Sequence, residues 1–235
     1  VHGPDRSVGK DHAAQAFGRY SGGLSLSVVA AEDGGFLYLH KPSGLPVFDL
    51  HSGEGSSLKE QLLKGRPEQA LPDDGACWPE GFDAGIVHRL DGWTSGLVIA
   101  ARSLAALQQA RELFANRQLV KHYFFLSDRC VAWNEHCIEH ALAHDRRKRS
   151  KMIWQRGKST PHRGRWYEAS TRLARLGEQA PGLFLWRATM SSGVMHQIRV
   201  HAASAGLSLL GDQLYGGSED PGGQGRFYLH HARVE

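Results

Sequence analysis

The sequence predicts an α+β domain, because stretches with the composition of strands far outnumber those with helical periodicity. Its 235 residues can bury one large core or two small ones, and 41% hydrophobic with 22% charged residues is the balance of a soluble globular protein. No apolar run is long enough to span a bilayer, and residues 1–20 lack the apolar core of a signal peptide. Cys77, Cys130 and Cys137 are odd in number and irregular in spacing. That argues against a disulfide framework or a paired-thiol zinc site, and for a reducing, cytoplasmic home.

Taken in order, residues 1–25 are polar and glycine-bearing and are expected to form a loosely ordered arm, with one domain over 26–235. Residues 26–30 and 36–40 read as strands around Glu32-Asp33-Gly34-Gly35, a hairpin turn. Lys41, Pro42, Gly44 and Pro46 follow in a stiff loop. Ser57 and Glu60 have the spacing of a capping box, opening a short helix to Leu63. Residues 64–83, rich in Gly, Pro and acidic side chains, read as a surface loop in which Cys77-Trp78 has no assigned role.

In residues 85–102 a short apolar run (Ile86, Val87) enters and a longer one (Leu97 to Ala101) leaves. Between them sit His88, Arg89, Asp91, Thr94 and Ser95, with Gly92 and Gly96 allowing sharp turns. Two strands joined by a polar loop fit this pattern. From the residues alone, Asp91 is either a turn-former or a reactive carboxylate. Ser103 is a good N-cap for a helix to about Asn116, with Leu104, Leu107, Ala110, Leu113 and Phe114 on one face. Residues 119–127 are the next strand.

Cys137, His140 and His144 fall at helix-like spacing, but no ligating Glu is convincingly placed, so no metal is expected. From Arg146 to Arg165 the chain carries Arg146, Arg147, Lys148, Arg149, Lys151, Arg156, Lys158, Arg163 and Arg165 with no acidic residue between them. Such a run is either a solvated face or, with Trp154, Trp166 and Tyr167 close by, a surface for a polyanion whose bases can stack. Residues 166–176 and 183–190 read as strands separated by a turn at 177–182. A helix opens near His196 and Gly206 can end it. Leu229 and His230 begin the last strand.

The segment His-Arg-Leu-Asp-x-x-Thr-Ser-Gly at 88–96 resembles the signature of the RluA-type RNA pseudouridine synthases. Lys41-Pro42-x-Gly44-x-x-Val47 is similar to that family's Asn-Lys-Pro-x-Gly-x-x-Val element, with His40 in place of the usual Asn. Lys121-x-Tyr123, His196-Gln197-Ile198-Arg199-Val200-His201 and Gly211-Asp212-x-x-Tyr215-Gly216 follow in the family's order. The resemblance covers about 26–235, and it implies that residues 138–142 are a strand leading to Asp145. It implies a mixed, largely antiparallel central sheet with flanking helices and a central cleft. It implies isomerisation of a uridine to pseudouridine in an rRNA or tRNA stem-loop, by a monomer needing no cofactor and no membrane. The arm is then shorter than the RNA-binding module that precedes the catalytic domain in many relatives. One departure stands out: Gly193-Val194-Met195 replaces the common Gly-Arg-Thr, removing side chains that contact RNA or anchor the loop.

The reaction breaks the bond from ribose to uracil N1, rotates the base and rejoins it through C5. One carboxylate suffices, acting at C1′, at C6, or through a glycal-like intermediate. The resemblance implies Asp91 as that nucleophile and Arg199 as its partner. Burial disfavours an ionised carboxylate, and a planar guanidinium restores it. Tyr123 would lie against the uracil and is a candidate to help remove the C5 proton. The base must leave its stack, and Arg89 would fill the vacated space or hold a phosphate. Ile198 would line the pocket, with His88, Thr94 and His196 also binding substrate. Arg146, Arg147, Lys148 and Arg149 would meet phosphates. The alternative is a non-catalytic RNA-binding protein that keeps the fold. A glycoside hydrolase would need a second carboxylate, and none recurs beside these motifs.

Overall fold

The computed structural model describes residues 29–49, 56–75 and 77–235. The expected arm over 1–25, and the first residues of the strand expected at 26–30, lie outside them. β1 (Val29–Asp33) and β2 (Phe36–Lys41) pair antiparallel around Gly34-Gly35, whose φ angles of 57° and 82° are the left-handed values a two-residue hairpin demands. Glu32 and Asp33, expected in the turn, therefore belong to the strand.

The large sheet adds β3 (Ser95–Ala101), β4 (Lys121–Ser127), β5 (Glu135–Ile138), β9 (Thr171–Ala180), β10 (Leu183–Met190) and β11 (Leu229–Val234). Its order is β1-β2-β3-β11-β4-β10-β9-β5. Every neighbouring pair is antiparallel except β3 and β11. β6 (Leu142–Asp145), β7 (Met152–Trp154) and β8 (His162–Tyr167) form a separate antiparallel sheet in the order β7-β6-β8. The class is α+β with a mixed, largely antiparallel main sheet.

Three helices flank it among the described residues: α1 (Leu58–Gly65), α2 (Leu104–Ala115) and α3 (Gln197–Ser204). α1 opens on the expected capping box, with Ser57 Oγ accepting the Glu60 N–H at 3.2 Å and the Glu60 carboxylate accepting the Ser57 N–H. Ser103 Oγ caps α2 through the Ala106 N–H at 3.1 Å. α3 stops where Gly206 turns left-handed and Leu207 N–H bonds back to the Ala202 carbonyl at 2.8 Å.

β3 is apolar from Leu97 onward because both its faces are covered. Val98 and Ala100 join Leu37, Leu39, Leu58 and Leu62 of β2 and α1 in the main core. Ile99 and Ala101 pack on the other side against Ala106, Leu107 and Ala110 of α2.

Four expectations change. Residues 86–87 form no strand; Ile86 makes a single bridge to Ala100 and Val87 N–H bonds to the Ile99 carbonyl. Residues 64–83 are more than a surface loop: a 3-10 turn (Pro67–Ala70) buries Gln69, whose backbone carbonyl accepts the buried Trp78 Nε1–H at 2.9 Å. Residues 138–142 are split, with Ile138 ending β5 in one sheet and Leu142 starting β6 in the other. The chain likewise changes sheets between Tyr167 and Thr171, and β9 runs past Gly177 to Ala180. A strand that ends in one sheet and restarts in another keeps its apolar character, so the break leaves no trace in periodicity.

Candidate active site

The cleft of about 830 Å³ opens over the middle of the large sheet, at β4 and the turn before β3. Asp91, Arg89, Thr94, Tyr123, His196, Ile198 and Arg199 all line it, as does His88. These come from three separate stretches of sequence.

Asp91 sits on a turn closed by the Thr94 N–H bonding to the Asp91 carbonyl at 3.0 Å. The Lys41–Leu45 segment clasps that turn. Lys41 Nζ, fully buried, donates to the carbonyls of Pro42 (3.0 Å), Leu45 (2.7 Å) and Gly92 (2.8 Å). The Gly44 N–H reaches the same Gly92 oxygen, and Ser43 Oγ donates to the Trp93 carbonyl. Burial drives the Lys41 pKa down to about 7, with Asp91 pulling the other way. Behind the turn, Gly96 has a φ of 113°, and a Cβ there would lie 2.1 Å from the His231 carbonyl oxygen. Glycine is therefore required where β3 meets β11.

Arg199, on α3, is 6% exposed. Its Nη1 donates to Asp91 Oδ2 at 3.0 Å, while Nε and Nη2 hold both oxygens of Asp212 at 2.7 and 2.9 Å. Phe227 and Tyr215 lie against the guanidinium, with ring centroids 4.1 and 5.0 Å from Cζ. The fork is thus locked on Asp212 and lends one arm to Asp91.

His196 adopts a left-handed conformation just before α3. The Tyr215 hydroxyl accepts the Met152 N–H and shares a hydrogen bond with His196 Nδ1 at 2.8 Å, leaving Nε2 3.9 Å from Asp91 Oδ1. Burial lowers the His196 pKa and Asp91 opposes it. The Tyr123 ring is 5% exposed and stacks on His231 at 4.4 Å. Burial, and after it Asp91, push the phenol pKa up, so the hydroxyl keeps its proton. His88 Nε2 accepts the Ile99 N–H at 3.2 Å and its pKa falls to about 3 through burial, then His231 and Lys121. A neutral His88 thus props the start of the cleft wall. Arg89 is exposed at the mouth, and no ion pair holds it among the described residues.

The structure does not bring Arg146, Arg147, Lys148 and Arg149 into the cleft lining. They are exposed on the turn between β6 and β7, where Asp145 accepts the Arg147 and Lys148 N–H groups. That hairpin nevertheless abuts the cleft: Tyr215 accepts the Met152 N–H, and Lys151 Nζ lies 5.6 Å from the Tyr215 ring centre. Among the described residues, no group of His, Cys, Asp and Glu is placed to hold a metal ion.

Sequence reasoning gave no role to Asp212, Tyr215 or Lys41. All three lie in the quoted motifs, so the signal was present, but spacing along the chain does not say which side chains meet. His231 carried no signal at all.

The model of the RNA pseudouridylate synthase family matches residues 35–204, most of the chain. The chain belongs to that family. Within it, this is a member of the RluA type. Ribosomal large subunit pseudouridine synthase D of Yersinia pestis is 30% identical over 202 residues, covering 82% of this chain and 54% of the relative. Synthase C of the same organism is 32% identical over 215 residues, covering 88% and 60%. Chloroplastic RNA pseudouridine synthase 2 of Oryza sativa subsp. japonica is 36% identical over 135 residues, 57% of this chain and 30% of that one. The chain thus spans 30% to 60% of the length of these relatives. The structure of human RNA pseudouridylate synthase domain containing 1 shares the fold, with a TM-score of 0.71 at 22% identity, covering 92% of this chain and 80% of that one.

Proposed function

We propose that this protein is an RNA pseudouridine synthase that isomerises a uridine of ribosomal RNA, with Asp91 as the nucleophile on a base flipped out of its strand. The observation that carries this reading is the Asp91–Arg199 pair, 3.0 Å apart and facing a cleft walled by Tyr123 and Ile198. A guanidinium already anchored on Asp212 holds the carboxylate in one orientation toward the cleft, which is what nucleophilic attack on a nucleoside needs. The ribosomal substrate is argued from the names of the relatives, two of them synthases of the large ribosomal subunit.

In this mechanism RNA covers the cleft and the target uracil slides against Tyr123, over Ile198. Arg89, exposed at the mouth and held by no ion pair among the described residues, takes the space the base vacates or a neighbouring phosphate. The basic β6–β7 turn follows the backbone outside the cleft. Three free, exposed cysteines suit a reducing cytoplasm. No described helix is long and apolar enough to cross a membrane.

The test is tritium release from RNA labelled at uridine C5, using RNA from cells that lack the protein. Wild type should release tritium, and Asp91→Asn and Asp91→Ala should release none while keeping their melting behaviour and most of their RNA affinity. Release by either variant at the wild-type rate removes Asp91 from the chemistry. Mapping pseudouridines in cells lacking and then regaining the protein identifies the RNA.

A further inference from the structure

We propose that Lys121 binds a carbonyl oxygen of the target uracil and stabilises the ring anion formed when the glycosidic bond breaks. This rests on the synthase reading above and adds a participant to it.

Lys121 is 5% exposed and lines the cleft. Among the described residues its ammonium has no carboxylate partner and no hydrogen-bond acceptor; it lies 5.4 Å from the centre of the Phe114 ring and close to Gly193. A buried ammonium with three unused donors is costly unless something in the cleft completes it. Lys121 and Tyr123 alternate on the same buried face of β4, about 7 Å apart along the strand. A uracil lying on the Tyr123 ring therefore extends one edge toward the ammonium. The surroundings favour a flat neutral base over a phosphodiester. Phe114, Met190 and Tyr123 line this part of the cleft, and His88 and His231, both within reach of the Lys121 charge, are held neutral by burial. Burial brings the Lys121 pKa to about 8, which still leaves an ammonium at neutral pH.

When the C1′–N1 bond breaks, its electron pair stays on uracil, and the negative charge spreads onto N1 and the two carbonyl oxygens. The sugar carbon is satisfied by the Asp91 carboxylate, or by loss of the 2′ proton along the glycal route. Lys121 donates a hydrogen bond to the developing oxyanion without giving up its proton. The pair then forms the C1′–C5 bond as the Asp91 carboxylate leaves C1′, or as C2′ regains its proton on the glycal route; the C5 proton leaves and N1 gains one, so the product is an isomer of the substrate. Attack at C6 also places negative charge on a carbonyl oxygen, so the same ammonium serves each route.

The experiment compares wild type, Lys121→Met, Lys121→Gln and Lys121→Arg in single-turnover tritium release from C5-labelled RNA of cells lacking the protein, with filter binding of the same RNA across salt. The Met and Gln variants should slow release at saturating protein about 100-fold, with affinity within about twofold and an unchanged salt slope; Arg should recover most of the rate. Undiminished release refutes the inference. So does a fall in affinity, with a salt slope smaller by about 1 and a wild-type saturating rate, because that marks a phosphate contact. Should Lys121→Met fail to fold, the Gln and Arg variants decide, and equal rates for the two are a refutation. Absence of release by wild type would instead overturn the synthase reading itself.

Discussion

Arg199 spends two of its nitrogens on Asp212, at 2.7 and 2.9 Å, and keeps a single Nη1 for Asp91. Asp212 is 1% exposed, whereas the Asp91 side chain is 26% exposed. The buried carboxylate anchors the guanidinium, and the accessible one faces the cleft.

Removing either member of the buried pair strands the other. Arg199→Ala should cost about 3–5 kcal/mol of stability, and Asp212→Ala a similar amount, read from urea melts. The double variant should be far less damaged than the sum of the two, because neither charge is then left alone. Additive losses would mean the pair is not coupled. Arg199→Lys should keep the charge but lose the fork, and with it most of the activity.

Gly96→Ala should destabilise the fold by about 1–3 kcal/mol or more, since the new methyl meets the His231 carbonyl in the middle of the β3–β11 pairing. Gly34→Ala is the control without the clash, at a positive φ of 57° and with open space around it. A larger drop in thermal midpoint for Gly34→Ala would contradict the steric account.

Acid should loosen the molecule through its histidines. His88 (pKa about 3), His201 and His231 (each about 4) are all held neutral chiefly by burial, whereas in an unfolded chain each titrates near 6.5. The unfolded state thus binds more protons between those values. Their contribution is complete above about pH 6.5 and is lost as the pH falls toward 4. His231→Phe keeps the stack on Tyr123 and should flatten the slope of stability against pH, near pH 5, by about 1.4 kcal/mol per unit. An unchanged slope in urea titrations would show that His231 is already charged.

Neutralising the β6–β7 turn, with Arg146, Arg147, Lys148 and Arg149 all changed to Gln, should weaken RNA binding and flatten its salt dependence by about 0.7–0.9 per lost phosphate contact. Tritium release at saturating RNA should stay at the wild-type level, because the turn lies outside the cleft lining. A slope equal to the wild type's would leave these four side chains as a solvated face.

Much of this was legible in the chain. The caps at Ser57 and Ser103 depend on residues three apart, and the structure has both. The turn carrying Asp91 was visible because glycines and polar residues interrupt an apolar run. What stayed hidden is contact between distant segments. Nothing in the spacing of Arg199 and Asp212 reveals a bidentate grip, and a Lys before a Pro gives no hint of three carbonyls waiting for it. The basic run was plain, but its position beside the cleft depends on Tyr215 accepting the Met152 N–H. The change of sheet after Ile138 escaped because a strand reads alike in either sheet.

The parallel neighbour of β3 is the last of the described strands to be synthesised. β11 lies between the strand that follows Asp91 and the strand that bears Tyr123. Without residues 229–234 the strand after Asp91 and the strand that bears Tyr123 share no hydrogen-bonded seam, so the two walls of the cleft are aligned only once the last described strand is in place.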